Sequence, residues 1–258
     1  MQEATTPPKS GQTVAYLMEL ALQLAGSAVV AALYLGALRR IRRRGRPVPR
    51  RRVAAFAVGL AILVGAFAAP LEGRFSTHML QHLMIGDLAP LFMVMGLNGP
   101  LLRPLLALRP VQRLRVLAHP FVSLPVWAAN MIGWHIPSLY DAALMHGAVH
   151  ALQHGMFFAC GMLLWSALLE PIPGPRWFTP ARKLFYVAGM WIVMLSLSQV
   201  FLWSSTQLYT GYSVSDQRAG GGVMLFEGSA VMIGVVVWLL LRLLEEKVEP
   251  LTLSGARR

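Results

Sequence analysis

Five of the seven histidines fall in two short stretches, His78-Met-Leu-Gln-His82 and His146-Gly-Ala-Val-His150-Ala-Leu-Gln-His154. On an α-helix each residue turns about 100° and rises about 1.5 Å. Residues four apart therefore share a face, with Cβ atoms about 5–6 Å apart, close enough for two imidazoles to chelate one ion. His146, His150 and His154 would fan over roughly 80° of one face and span about 12 Å of depth, so neighbours can share an ion and the outer two cannot. Neutral imidazole is the commonest protein metal ligand and suits copper, zinc, iron and nickel. Both stretches lie inside apolar runs, where titratable side chains are rare and face the bundle interior, a cavity or one another.

The elements that must position them are membrane spans. Of 258 residues, 56% are hydrophobic and only 13% charged, well below the charge content of a soluble domain. The net charge of +12 does not indicate nucleic acid, because the basic residues sit between apolar runs rather than on one face of a soluble core. The lone Cys160 excludes an intramolecular disulfide and any Cys-x-x-Cys site. Runs of spanning length fall at about Val14–Leu38, Val53–Pro70, Thr77–Leu97, Val116–Trp134, Ala142–Leu169, Leu184–Trp203 and Ala219–Leu244. The fourth is interrupted by Pro120 and Pro125 and is expected to be kinked. Met1–Thr13 is polar without the basic start of a secretory signal, so the first run is expected to stay as a span.

Nine arginines in Arg39–Arg52 fix the first connection as cytoplasmic. Alternation then places Arg103, Arg109, Arg113 and Arg115 inside, followed by Arg176, Arg182 and Lys183, and leaves only Lys9, Arg74 and Arg218 outside. The expectation is an all-α bundle of seven transmembrane helices, N-terminus outside and C-terminus cytoplasmic. It divides into a polar segment 1–13, one membrane domain 14–244 and a cytoplasmic tail 245–258.

In this topology every histidine except His119 lies toward the outer side, and His78/His82 can face His146/His150 across two packed helices. His135 closes the fourth span nearby, and Asp216, with Gln217, stands at the outer mouth of the seventh as a ligand, an orienting group or a cap. His154 falls deeper, so either the site slides between two levels or His154 serves a second position. Cys160, deeper again on the same face, is read as a small buried hydrophobe, and His119 as an interhelical hydrogen-bonding group. Asp87 and Glu227 lie within spans and must be paired or protonated there, with each other as one option. The fourteen methionines, including the Met190/Met194 pair, are read as core packing.

Several pieces together resemble the CtaG family of cytochrome c oxidase assembly factors, seven-span bacterial membrane proteins. They are His78-Met-Leu-Gln-His82, Trp134-His135-Ile-Pro137 followed by Leu139-Tyr140-Asp141, the His150-x-x-x-His154 stretch with Gln153, and Asp216-Gln217 leading into Ala219–Gly222 and Met224. The resemblance runs from about Arg74 to Gly234. It implies a bacterial cell-membrane protein that matures a haem-copper oxidase by handling copper, with His78, His82, His135, His150, His154 and Asp216 as the positions of interest. His146 adds a third histidine to its helix from spacing alone. The expected function is non-enzymatic: copper binding at an outer histidine cluster and delivery to an oxidase subunit, with membrane lipid as the other contact. Two other chemistries suit the same histidines. One is a redox protein with haem held between the third and fifth spans; the other is a copper transporter, which needs ligands continuing inward.

Overall fold

In lipid a backbone must satisfy its own hydrogen bonds, which leaves helices for a chain of apolar runs. A computed structural model describes residues 10–69, 71 and 73–255, the side chains of 10–16, 114 and 246–255 excepted; most of the polar segment 1–13 and the last three residues of the tail lie outside the described residues. Its helices are α1 (Ser10–Arg43), α2 (Arg50–Ala68), α3 (Phe75–Leu83), α4 (Ala89–Gly96), α5 (Gly99–Leu106), α6 (Arg109–Leu114), α7 (Pro120–Trp134), α8 (Pro137–Met145), α9 (Gly147–Leu169), α10 (Pro180–Trp203) and α11 (Val214–Gly255). A π turn, Met84–Leu88, joins α3 to α4, so that Phe75–Gly96 is one continuous span.

Among the described residues six helices are long and apolar enough to cross a membrane: α1, α2, the α3–α4 span, α9, α10 and α11. The seventh expected span is α7, whose 15 residues cover about 22 Å at 1.5 Å per residue, short of a hydrocarbon core about 30 Å thick. Its ends nevertheless lie at opposite ends of the bundle. His119, just before it, packs on Trp177, whereas the carbonyl of His135, just after it, accepts the Tyr209 hydroxyl at 2.7 Å.

The connections sort by charge. At one end Arg52 donates to the Leu97 carbonyl, and one open cavity is bordered by Arg51, Leu97, Glu170 and Arg242. The other end carries Phe75, Tyr140, Tyr209 and Asp216. These are called the arginine-rich and arginine-poor ends. Within the bundle α11 packs against α10 and α3, α4 against α2 and α9, and α7 against α9 and α10. α1 lies at the margin on α2, α5 and α9, with Leu22, Val29 and Leu33 exposed.

The π turn has a local cause. Pro90 has no N–H to give the carbonyl four residues back, at Gly86, and the helix loosens over that turn. Against the freed Gly86 carbonyl lies Gly161 of α9, so close that an added Cβ would collide with it. Glycine at 161 is thus what lets α9 and the α3–α4 span approach, and these two helices carry the histidines.

Candidate metal centre

α3 and α9 both start at the arginine-poor end and run the same way, so their i, i+4 pairs come side by side. The ring centroids of His78 and His150 lie 5.4 Å apart and nearly parallel, and those of His82 and His154 lie 5.4 Å apart and crossed. Within each helix the two rings are 4.2 Å apart. The histidines form two tiers, whose backbone positions are offset by the roughly 6 Å that four helical residues rise while the rings lean to within 4.2 Å. All four are buried, His78 completely.

A third helix contributes the same spacing. Glu19 and Gln23 of α1 face the cluster: Glu19 Oε1 lies 2.8 Å from His150 Nδ1, and Gln23 Nε2 lies 3.0 Å from His154 Nδ1 while donating to Glu19 Oε1 at 2.9 Å. The upper tier is therefore Glu19, His78 and His150, and the lower tier Gln23, His82 and His154. A carboxylate that takes the Nδ1–H of a histidine fixes its tautomer and leaves Nε2 as the donor to a metal.

Two triads could each hold an ion. One ligand atom from each of His78, His82 and His150 lies within 4.8 Å of the others, as do atoms of Glu19, His150 and His154, and the triads share His150. Bonds of about 2.0–2.1 Å in a tetrahedral site separate nitrogens by about 3.3 Å, so rotamer adjustments of about an ångström close either triad. The donors fit copper or zinc: imidazoles of borderline softness, with one carboxylate to offset charge. Haem fits poorly, because these rings are already in mutual contact and a porphyrin would have to part α3 from α9.

The arrangement corrects the spacing argument at one point and leaves other predicted residues outside the cluster. His78/His82 face His150/His154, one turn deeper than the expected His146/His150. His146 stands apart, because the chain breaks there: it is extended, at φ −131°, between α8 and α9, and exposed. Asp216 lies elsewhere too. Its carboxylate accepts from Phe75 N at 2.7 Å, Ser76 N at 3.3 Å and Ser76 Oγ at 2.6 Å, satisfying from the start of α11 the N–H groups that the first turn of α3 leaves unpaired. It positions the histidine helix rather than touching a histidine.

His135 ends α7, with Nδ1 2.6 Å from the Met131 carbonyl, and shares a cavity wall with His82. Gln153 is fully buried, with no hydrogen-bond partner among the described residues. Gln217 folds the loop before α11, accepting from Leu208 N and Tyr209 N and donating to the Tyr212 carbonyl. Phe75, Tyr140 and Tyr209 pack over His78 at this end. Burial, then Asp141, pushes the Tyr209 phenol well above its ordinary range, so it stays protonated and keeps donating to His135. Asp87 accepts from Trp165 Nε1 at 2.7 Å and faces Glu227, the partner expected for it.

Glu19 and Gln23 are the members of the site that the histidine pattern did not reveal. Their signal was present: an acid within an apolar run, with an amide four residues on.

The sequence model of a family described as cytochrome c oxidase caa3 assembly factor matches residues 32–246. Two uncharacterized proteins, one of Mycobacterium bovis and one of Mycobacterium tuberculosis, are each 26% identical over 232 residues, covering 77% of this chain. The chain spans about a third of the length of these curated relatives, 35% of each. No solved structure matches it.

Proposed function

The chain belongs to the family of cytochrome c oxidase caa3 assembly factors, and from that premise we propose that it binds copper in the two-tiered histidine cluster and hands it to an oxidase subunit. One observation carries the reading. His78 and His82 are buried, yet none of their four ring nitrogens has a hydrogen-bond partner among the described residues. Buried polar atoms are almost always satisfied, and two adjacent unsatisfied imidazoles are the shape of a site whose partner is a metal ion. The role is that of a carrier and not a catalyst: the bundle fixes ligand spacing, and Glu19 supplies charge.

The orientation proposed with it has seven crossings, α7 included, with the cluster toward the outer face of a bacterial cell membrane and the C-terminus in the cytoplasm. It is supported by the gathering of arginines at one end of the bundle and by the opposite placement of the two ends of α7. Copper would then be offered near the outer surface, to a membrane-embedded client approaching from the side.

Elemental analysis of protein purified in mild detergent, combined with oxidase maturation in cells, tests this. Wild type is expected to carry about one copper per chain more than the variant H78A/H150A. That variant is expected to leave the oxidase without copper, while H119A, outside the cluster, matches wild type. Copper-free wild type, with normal maturation in H78A/H150A, would overturn the reading.

A further inference from the structure

A second feature adjoins the cluster on the side of the arginine-rich end. Six of the fourteen methionines, Met79, Met131, Met190, Met194, Met224 and Met232, converge on one cavity of about 20 Å³. They come from four helices, α3, α7, α10 and α11, and every one is buried. Methionine is the residue that adapts to fill irregular gaps, so a void kept open where six of them meet is not explained by packing alone. One water-sized particle needs roughly 10–15 Å³, and the cavity admits one. His82 and His135 share its wall. Both nitrogens of His82 and Nε2 of His135 are buried without a partner among the described residues.

We infer that this cavity is a second metal site, selective for monovalent copper. Thioether sulfur is a soft, uncharged donor that holds Cu(I) and competes poorly for harder divalent ions, and imidazole complements it. The charge of a monovalent ion in an apolar bundle must be offset, and Asp87 stands in the same wall, its carboxylate held by Trp165. His82 borders both the cavity and the histidine tiers, so the soft site and the nitrogen-rich site share an edge. The inference rests on the copper reading above and adds the oxidation state that the deeper compartment takes.

The test uses the full chain in mild detergent under a reductant, titrated with Cu(I) against a competing chelator, and separately with Zn(II). The variant M131L/M190L/M194L removes three sulfurs at nearly constant volume. It is expected to weaken Cu(I) binding at least tenfold and leave Zn(II) binding unchanged, whereas H78A/H150A abolishes Zn(II) binding and retains Cu(I). Selenomethionine-labelled wild type, which needs no substitution, is expected to show selenium in the first shell of Cu(I) by X-ray absorption. Cu(I) bound with nitrogen or oxygen neighbours only, or wild-type affinity in the triple variant, would overturn the soft site while leaving the histidine reading intact. Loss of Zn(II) and retention of selenium-bound Cu(I) would do the reverse if H78A/H150A still matured the oxidase.

Discussion

The arginine-rich end and the His78/His82 pair bury polar groups in opposite ways. At the arginine-rich end Lys183, 7% exposed, is met by Glu170 at 2.7 Å and lies over the Phe178 ring, while Ser123 and Tyr186 bond to each other at 2.8 Å. Protein answers protein there. At the arginine-poor end His78 and His82 are buried at least as deeply and answered by nothing in the described residues. An unsatisfied buried polar group costs about 1–3 kcal/mol, a cost that selection for stability alone would remove with leucine. The difference separates a structural device from a binding one: the first is complete as folded, and the second is completed by its cargo.

The comparison can be broken by removing one partner at each end. H82L, which keeps most of the volume packed on Phe157, should lower metal affinity by more than about a hundredfold, beyond the range that outer partners command, and should not lower thermal stability of the metal-free protein, since no hydrogen bond is lost; competition titration and a melt read the two. E170Q should do the opposite. It strands the Lys183 charge and should cost about 2 kcal/mol, less than a fully buried pair because Glu170 is partly exposed, with metal binding unchanged. A melt at wild-type temperature for E170Q would erase the contrast.

E170G sharpens the same point, because Glu170 ends α9 in the left-handed region at φ 50°. Glycine relieves the backbone there by roughly 1 kcal/mol but also strands Lys183, so E170G should melt above E170Q. E19Q probes the other end: it keeps the shape of the side chain and removes the charge facing His150. It should cost about tenfold in affinity, the scale of an outer partner. A loss as large as that of H82L would instead make Glu19 a direct ligand in the second triad.

The histidine tiers were legible because a four-residue repeat survives translation into a helix face, and parallel starts at one end of the bundle follow from counting spans. What the sequence hid was long-range or local. The apolar run Ala142–Leu169 gives no mark of the break at His146, so spacing alone extends the helix phase one turn too far. Asp216 reads as a ligand, an orienting group or a cap for its own helix, whereas it satisfies α3, 140 residues earlier in the chain, which only tertiary packing reveals. The methionines read singly as filler, since nothing in the order of Met79, Met131 and Met232 announces that they share a void. Glu19 and Gln23 lie before residue 32, where the family match begins, and belong to the marginal helix.

The smallest effect concerns the cover over the cluster. Tyr209 donates to the His135 carbonyl and packs on Phe75 and Tyr140, so Y209F removes one hydrogen bond and keeps the aromatic contacts. The expected cost is about 1 kcal/mol, with metal affinity intact, because the bond holds the end of α7 and not an imidazole. The pH dependence carries the sign of the same bond. Burial raises this phenol above its ordinary value of 10.0, so the folded state keeps the proton that the unfolded chain gives up. Its contribution is fully present below about pH 10 and declines as the pH rises beyond it. Wild type should therefore lose stability across alkaline pH more steeply than Y209F, and parallel curves for the two would mean that the hydroxyl is not what fastens α7 to the loop before α11.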